Sequence, residues 1–297
     1  MNNPTMQRVR TIVAATDLSP ASDIAVEQAA LLARKWDAEL VLLHVFNDGF
    51  WSTIKAIYAA EHWADTEPVL AARNRLSRQV GELAARHGIR VRGDTRTGRA
   101  ASEIAAFGRE QDAQLLVVGA HGEDWIGDTV VGGTALKVLK RAELPVLLIR
   151  RPASADFSNI LVATDFSDNA MRAAQLSLRW FPQARRRLVH AWYVAFESRM
   201  RLAGASDEDI ERYRGQEVYR AERKVQEQIN ALEADSAVGK LLIRGAPAPV
   251  LTAQAARLEA DLMVIGKHGG TVLDEVLLGS VTQNVLYQVG CNVLLVP

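Results

Sequence analysis

The sequence predicts an α/β fold made of two doubly wound, open parallel sheets, one in each half of the chain. One observation is a duplication of four sequence blocks, and the other is the alternation of short apolar strands with helical patterns within each half. Parallel neighbours need right-handed helical crossovers, so we expect two five-stranded sheets with strand order 3-2-1-4-5, arranged as a pseudo-twofold tandem.

The duplication is visible in the residues themselves. The block at 11–19 reads TIVAATDLS, and the block at 159–167 reads NILVATDFS. Three further pairs recur in the same order: LLHV at 42–45 with LVHA at 188–191, LLVVG at 115–119 with LMVIG at 262–266, and PVLLI at 145–149 with NVLLV at 292–296. A nearly constant offset indicates duplication. The polar stretch at 151–158 is the natural linker, which gives predicted domains at 1–151 and 152–297.

The strand candidates of the first half are short apolar runs. They lack polar alternation, as expected when helices cover both faces of a parallel sheet, and they lie at 9–15, 39–46, 89–95, 114–119 and 145–149. In the stated order, the last strand of each half lies at a sheet edge. A bare apolar edge invites aggregation. We therefore predict that the runs at 146–149 and 293–296 cover each other within one chain, as an intramolecular pseudo-dimer.

Helix signals lie between the strands. Ser19 and Pro20 are typical of an N-cap followed by the first helical residue, with Ile24 and Leu31 marking the inner face. A second inner face is predicted from the apolar residues Val69, Leu76, Val80 and Leu83. In the second half, Ser206 with Asp209 resembles a capping box that opens a long helix with Val225, Ile229 and Leu232 inward.

Composition excludes several classes of protein. Lys plus Arg and Asp plus Glu both number 35, so no net field attracts nucleic acid or an anionic membrane. No apolar run approaches the ~20 residues of a membrane span, and the first ten residues lack the apolar stretch of a signal peptide. The single Cys291 excludes an internal disulfide. We expect a cytoplasmic protein, with the triplet at 185–187 (RRR) as the solvated lip of a strand.

The glycine spacing in the second half carries the functional signal. After its fourth strand the chain reads GKHG at 266–269, and GS follows nine residues later at 279–280. Glycines let the backbone approach an anion closely, and the amides of Gly279, Ser280 and Val281 would open a helix whose N-terminus favours negative charge. The Ser280 hydroxyl would bond a phosphate oxygen or cap the helix. The alternative is that these glycines only form turns.

Asp165 strengthens the prediction of a ligand site. It ends the first strand of the second half, and Gly266 ends the fourth. In a 3-2-1-4-5 sheet these strands are neighbours and flank the topological switch point, where open α/β sheets bind ligands. An aspartate there can accept a hydrogen bond from a ribose hydroxyl or hold a cation. Equally, Asp165 and Ser167 could serve only as caps of the first helix.

These features resemble tandem universal stress proteins over the whole of each half. The resemblance rests on an Asp before a Ser after the first strand, a strand ending in His-Val, and the G-x2-G-x9-G-(S/T) loop. It implies an adenine nucleotide, ATP or AMP, with the base and ribose against the first-strand Asp and the second-strand end, and the phosphates on the glycine loop. The implied residues of the second half are Asp165, Ala191, Gly266, Lys267, His268, Gly269, Gly279, Ser280 and Val281. Those of the first half are Asp17, Val45, Gly119, Gly122, Gly132 and Thr134.

The first half departs from this pattern more than the second. Gly133 stands where Ser or Thr belongs, and Thr134 follows one residue late. In the second half, Ala191 follows His190 at the position where the family pattern has Val. Both nine-residue inserts carry acids, namely Glu123, Asp124, Asp128, Asp274 and Glu275. Carboxylates near a triphosphate weaken its binding unless they point away or hold a Mg²⁺ bridge, and Lys267 would offset them in the second half.

Two functions from different classes follow from these residues. The first is a stress-response binding or regulatory module that holds a nucleotide in its second domain and signals to a protein partner. The second is a nucleotide-free interaction or scaffold protein whose clefts are vestigial or hold another small or lipid-like ligand. We expect no catalytic or metal-ligating residue and at most a slow ATPase, because a Walker-type loop is absent. Further association of two chains into a homodimer is left open.

Overall fold

The computed structural model describes residues 8–47, 67–121, 131–152, 154, 156–194, 197–232, 238–269 and 278–297. The chain divides between Asp156 and Phe157 into two compact units. The domain boundary after residue 151 and the pairing of the two edge strands stay predictions.

The first unit contains an open parallel sheet. Its strands are β1 (Thr11–Ala15), β2 (Glu39–Asn47), β3 (Val91–Gly98), β4 (Leu115–Gly119) and β5 (Val146–Ile149). Their order within the unit is β3-β2-β1-β4-β5, and each neighbouring pair is parallel. The predicted order 3-2-1-4-5 is therefore confirmed for this unit.

The second unit repeats this sheet. Its strands are β6 (Asn159–Ala163), β7 (Arg185–Trp192), β8 (Gly239–Arg244), β9 (Leu262–Gly266) and β10 (Asn292–Val296). Within the unit, β6 lies between β7 and β9, with β8 and β10 at the two ends. All four pairings are parallel. The loops after β6 and β9 consequently leave the sheet side by side, at the switch point.

Helices connect the strands of both units. Those described in the first unit are α1 (Pro20–Trp36), α2 (Glu67–His87), α3 (Ala100–Glu110) and α4 (Gly133–Arg141). Those described in the second are α5 (Asp168–Trp180), α6 (Glu197–Leu202), α7 (Asp207–Ala231), α8 (Pro247–Arg257) and α9 (Ser280–Gln288). In the parts of the chain that the structure describes, no helix combines the length and apolarity needed to cross a membrane.

The apolar core follows the central strands. Ile12, Val13 and Ala14 of β1 are fully buried, as expected for a strand covered by helices on both faces. The predicted lack of polar alternation is wrong for β3, which reads VRGDTRTG and is mostly half-buried. This strand ends the sheet, so one side of it has no neighbouring strand within the unit and polar side chains are tolerated there.

Helix α1 begins as predicted but turns a different face inward. Ser19 is its N-cap and Pro20 its first residue. Ile24, however, is 39% exposed, so the predicted Ile24–Leu31 stripe is wrong. The buried face carries mainly small side chains, namely Ala25, Val26, Ala29, Ala30, Leu32 and Ala33. Small residues let the helix lie close to the sheet, and the largest apolar side chain of its first turn is left outside.

The arginine triplet at the start of β7 also differs from its prediction as a solvated lip. Arg185 is exposed, but Arg186 is 5% exposed. The Arg186 guanidinium donates to the backbone oxygens of Ser177 and Ala184, both at 2.9 Å. Ser177 lies in the last turn of α5, where a cation stabilises the helix dipole. Burial lowers the pKa of Arg186 from its ordinary value.

Candidate functional site

A tight turn after β6 fixes the carboxylate of Asp165. Phe166 has φ 67°, a left-handed conformation that is uncommon outside glycine, and its amide donates to Thr164 Oγ1 at 3.0 Å. Ser167 donates to Asp165 Oδ1 from its amide at 3.0 Å and from its hydroxyl at 2.5 Å. Ser167 Oγ also accepts from the amide of Ala170 and is the N-cap of α5. Ser167 therefore caps the helix, whereas Asp165 is held in place by Ser167.

The first unit contains the same turn after β1. Leu18 has φ 65°, and its amide donates to Thr16 Oγ1 at 3.0 Å. Ser19 donates to Asp17 Oδ1 from its amide at 3.0 Å and from its hydroxyl at 2.6 Å. The duplicated sequence T-D-Φ-S, where Φ is apolar, therefore encodes one local structure at two places.

The chain at the end of β9 and in the loop after it approaches this turn so closely that a side chain would clash at one position and be crowded at another. A Cβ at Gly269 would lie 2.5 Å from Asp165 Oδ2, a distance that real Cβ atoms do not show. A Cβ at Gly266 would lie 3.0 Å from the Cβ of Asn169. The Asn169 side chain also donates to the backbone oxygen of His268 at 3.1 Å, which ties the loop to α5. The glycine loop and the aspartate turn thus form one surface.

The start of α9 completes this surface. Its N-cap is Gly279, whose amide donates to the backbone oxygen of Lys267 at 3.1 Å. A serine side chain caps each of α1, α5 and α7, but glycine offers none to the first-turn amides of α9. Ser280 is the first helical residue and not the cap. An uncapped helix N-terminus of this kind suits an anion.

A cavity of about 230 Å³ lies at the switch point of the second unit. Its wall includes every residue predicted for this unit except one, namely Asp165, Ala191, Gly266, His268, Gly269, Gly279, Ser280 and Val281. The exception is Lys267, which is 4% exposed and does not belong to the wall. The structure therefore brings the aspartate, the glycine loop and the helix start together, but not the lysine.

Sequence reasoning missed one side of this wall. Pro247 and Leu251 of α8 line the cavity, and they lie four residues apart on one helix face. The duplication could have found them, because Ala100 and Ile104 of α3 line the first cavity at the equivalent offset. The sequence prediction did not consider that the helix after the third strand begins at the same edge of the sheet and reaches the cavity.

The first unit has a larger cavity, of about 690 Å³, at the equivalent place. Its wall includes the predicted residues Asp17, Val45, Gly119, Gly132 and Thr134. Gly122 and the acids of both inserts lie outside the described residues. Gly133 also lines the cavity, and a Cβ there would meet no atom within 4 Å.

Two equivalent histidines support the turns from the neighbouring strands. The imidazole Nδ1 of His190 is 2.9 Å from the backbone oxygen of Thr164, and that of His44 is 2.9 Å from the backbone oxygen of Thr16. A carbonyl oxygen only accepts, so each Nδ1 carries a proton. Burial lowers the pKa of both histidines, against an opposing effect of these hydrogen bonds and of the nearby aspartates. Both rings are therefore neutral at pH 7.

We expect these two histidines to make the protein less stable in weak acid. Their folded pKa lies below the unfolded value of about 6.5, so below that pH the unfolded chain takes up protons that the folded chain refuses. The free energy of unfolding should therefore be lower at pH 5.5 than at pH 7.5, by an amount that solvent screening of these partly exposed rings keeps small. Urea unfolding at the two pH values measures this. In the double variant His44→Asn with His190→Asn the difference should shrink, and an undiminished difference would contradict the assignment.

Metal ligands are not grouped in the described part of the chain. Within it, no set of three or more His, Cys, Asp or Glu side chains is placed to hold a metal ion.

Comparison with known proteins agrees with this architecture. The model of the Universal stress protein family matches residues 8–150 and again 156–297. A universal stress protein of Mycolicibacterium smegmatis is 27% identical over 295 residues, which cover 96% of each chain. One from Thermus aquaticus is 32% identical over 150 residues, covering 47% of this chain and 98% of the relative.

Solved structures show the same fold over the full length. The crystal structure of a universal stress protein from Archaeoglobus fulgidus covers 98% of this chain and 99% of its own, with a TM-score of 0.73 and 18% identity. That likeness concerns the fold alone. Because the family model matches each half of the sequence in turn, the chain belongs to the Universal stress protein family and carries two of its domains in tandem.

Proposed function

We propose that the second unit binds an adenine nucleotide, ATP or AMP, and that the protein acts as a binding and regulatory module in a stress response. One observation carries this proposal. The carboxylate of Asp165, the loop glycines and the first turn of α9 line a single cavity. Membership of the family supports the same ligand class.

The wall offers a different group to each part of a nucleotide. The amides of Ser280 and Val281, together with the Ser280 hydroxyl, would donate to phosphate oxygens at the helix N-terminus. Asp165 would accept from a ribose hydroxyl. Ala191 and Leu251 would give the base an apolar contact. Since Lys267 is not part of the wall, backbone dipoles rather than its ammonium group would carry the phosphate charge.

Binding without appreciable turnover fits the state of the aspartate. Asp165 Oδ1 already accepts two hydrogen bonds from Ser167. Two hydrogen bonds on one oxygen fix the direction of the carboxylate. Asp165 therefore suits a role in which it orients a ligand.

The first unit supports the second candidate function. Its cavity has glycine where the second unit has Ser280, and it is about three times as large, about 690 Å³ against about 230 Å³. The missing hydroxyl removes one donor to a phosphate, and the larger volume admits another small or lipid-like ligand. In this alternative the protein is a nucleotide-free interaction or scaffold protein, and both clefts bind ATP too weakly to matter.

Calorimetry with ATP distinguishes the two functions. We expect heat from the wild-type protein, none from Gly279→Val, and nearly wild-type heat from Gly132→Val, because Gly132 is the equivalent N-cap in the first unit. The valine methyls at 279 would enter the cavity and displace the phosphate. Equal heats for all three proteins would reject the assigned site. No heat from the wild type, with no thermal shift at millimolar ATP, would favour the nucleotide-free function.

A further inference from the structure

The aspartate turn of the second unit is held from a distance by α7. The hydroxyl of Thr164 donates to Gln228 Oε1 at 2.7 Å, across 64 residues of sequence. The same hydroxyl oxygen accepts from the Phe166 amide. Gln228 is 5% exposed, so its hydrogen bond lies away from water. The residue that fixes the left-handed turn is therefore itself fixed by a side chain of another helix.

A second contact joins the same helix face to the same turn. Lys224 lies one helical turn before Gln228, and its Nζ is 5.7 Å from the centroid of the Phe166 ring. That ring in turn lies 4.3 Å from the ring of His190, which lines the cavity. The residues on either side of Asp165, Thr164 and Phe166, are thus both in contact with α7.

The first unit achieves the same turn with a local bond. Thr16 Oγ1 lies 3.0 Å from Ser22 Oγ. Ser22 donates its proton to the backbone oxygen of Ser19 at 2.9 Å, so it accepts from Thr16. The equivalent of Ser22 in the second unit is Ala170, which has no hydroxyl. The partner of the threonine therefore lies six residues away in one unit and on another helix in the other.

We propose that Gln228 is a positioning residue that couples α7 to the Asp165 turn, so that α7 controls ligand binding in the second unit only. This regulation rests on the proposed nucleotide site. If α7 moves outward, Thr164 loses its acceptor and its side chain is free to leave its rotamer, which takes the Oγ1 acceptor away from the Phe166 amide. Ser167 then no longer presents Asp165 to the cavity. The first unit does not depend on a separate helix in this way, because the equivalent hydroxyl of Thr16 bonds to Ser22 within α1. We call the hydrogen bond made by this threonine hydroxyl in each unit its clasp.

The chemistry of Gln228 argues against a purely stabilising role. Its Nε2 is buried and has no hydrogen-bond partner in the described structure. A buried donor left unpaired is costly, and an apolar side chain of similar shape would avoid that cost. Gln228→Met removes the unpaired Nε2 donor but leaves the Thr164 hydroxyl without its acceptor. Because one unpaired donor replaces another, the variant should keep nearly wild-type global stability while releasing the turn.

Amide hydrogen exchange measured by NMR tests the clasp without any ligand. In Gln228→Met the Phe166 amide should exchange about five- to tenfold faster, as expected for loss of one hydrogen bond. The Leu18 amide of the first unit is the control within the same molecule and should not change. Adding Ala170→Ser supplies the clasp of the first unit and should restore slow exchange at Phe166. Unchanged exchange at Phe166 in Gln228→Met, or no rescue by Ala170→Ser, would overturn the proposal.

Titration of the same variants with ATP tests the regulation. Gln228→Met should weaken ATP binding about fivefold, and the double variant with Ala170→Ser should recover it. Unchanged ATP affinity alongside faster Phe166 exchange would overturn the regulatory step. A wild-type protein that binds no ATP would reject the proposed nucleotide function instead, and the exchange experiment would still decide whether the clasp exists.

Discussion

Ser280→Gly should weaken ATP binding in the second unit about tenfold, and Gly133→Ser should strengthen it in the first by a similar factor. A hydrogen bond from a hydroxyl to a charged phosphate contributes about 1.5–3 kcal/mol, which corresponds to tenfold or more in affinity. The serine fits at 133, because a Cβ there meets no atom within 4 Å. Both residues are the first of their helix. Calorimetry of the two single variants and of the double variant measures the affinity for ATP and the number of ATP molecules bound.

Alanine variants separate the hydroxyl from the added carbon. Ser280→Ala should behave like Ser280→Gly, and Gly133→Ala should leave the first unit as weak as in the wild type. The double variant that carries Ser280→Gly and Gly133→Ser should then bind ATP mainly in its first unit. If Gly133→Ser gains nothing, the larger size of the cavity and not the missing hydroxyl makes the first unit weak. That result would favour a different ligand there.

The parts of the site that sequence could predict are those encoded locally. Asp165 and the loop glycines follow strands whose order was predicted from the alternation of strands and helices, so their meeting at the switch point was a matter of topology. The close approach of Gly269 to Asp165 follows from the same topology, since only glycine leaves room for it. The course of the backbone was therefore predictable at residues, such as these glycines, whose type is required by the backbone geometry.

The parts that sequence could not predict depend on side-chain direction. Lys267 stands within the motif, but its side chain does not reach the cavity wall. Ile24 fits a helical stripe by spacing, but the helix turns its alanines to the sheet. Gln228 lies 64 residues from its partner in sequence, and no local pattern connects them. In each case the packing of one element against another decided the outcome, and hydrophobic periodicity does not encode that choice.

The second large effect is expected from Gly269→Ala. The new Cβ would lie 2.5 Å from Asp165 Oδ2. The carboxylate cannot simply rotate away, because its other oxygen is held by two hydrogen bonds from Ser167. Either those bonds break or the loop withdraws. We expect ATP affinity to fall more than tenfold and the free energy of unfolding to fall by about 1–3 kcal/mol, as for other overpacked sites.

A double-mutant cycle tests this explanation in free energies of unfolding. The atoms near the added Cβ are the Oδ2 and Cγ of Asp165, and Asp165→Ala removes both. Gly269→Ala should therefore cost much less stability in the Asp165→Ala background than in the wild type, with a coupling of about 1 kcal/mol or more. Urea unfolding of the four proteins gives the cycle without any nucleotide. Additive effects would mean that the aspartate and the loop do not meet in solution, and the proposed site would lose the contact on which it is built.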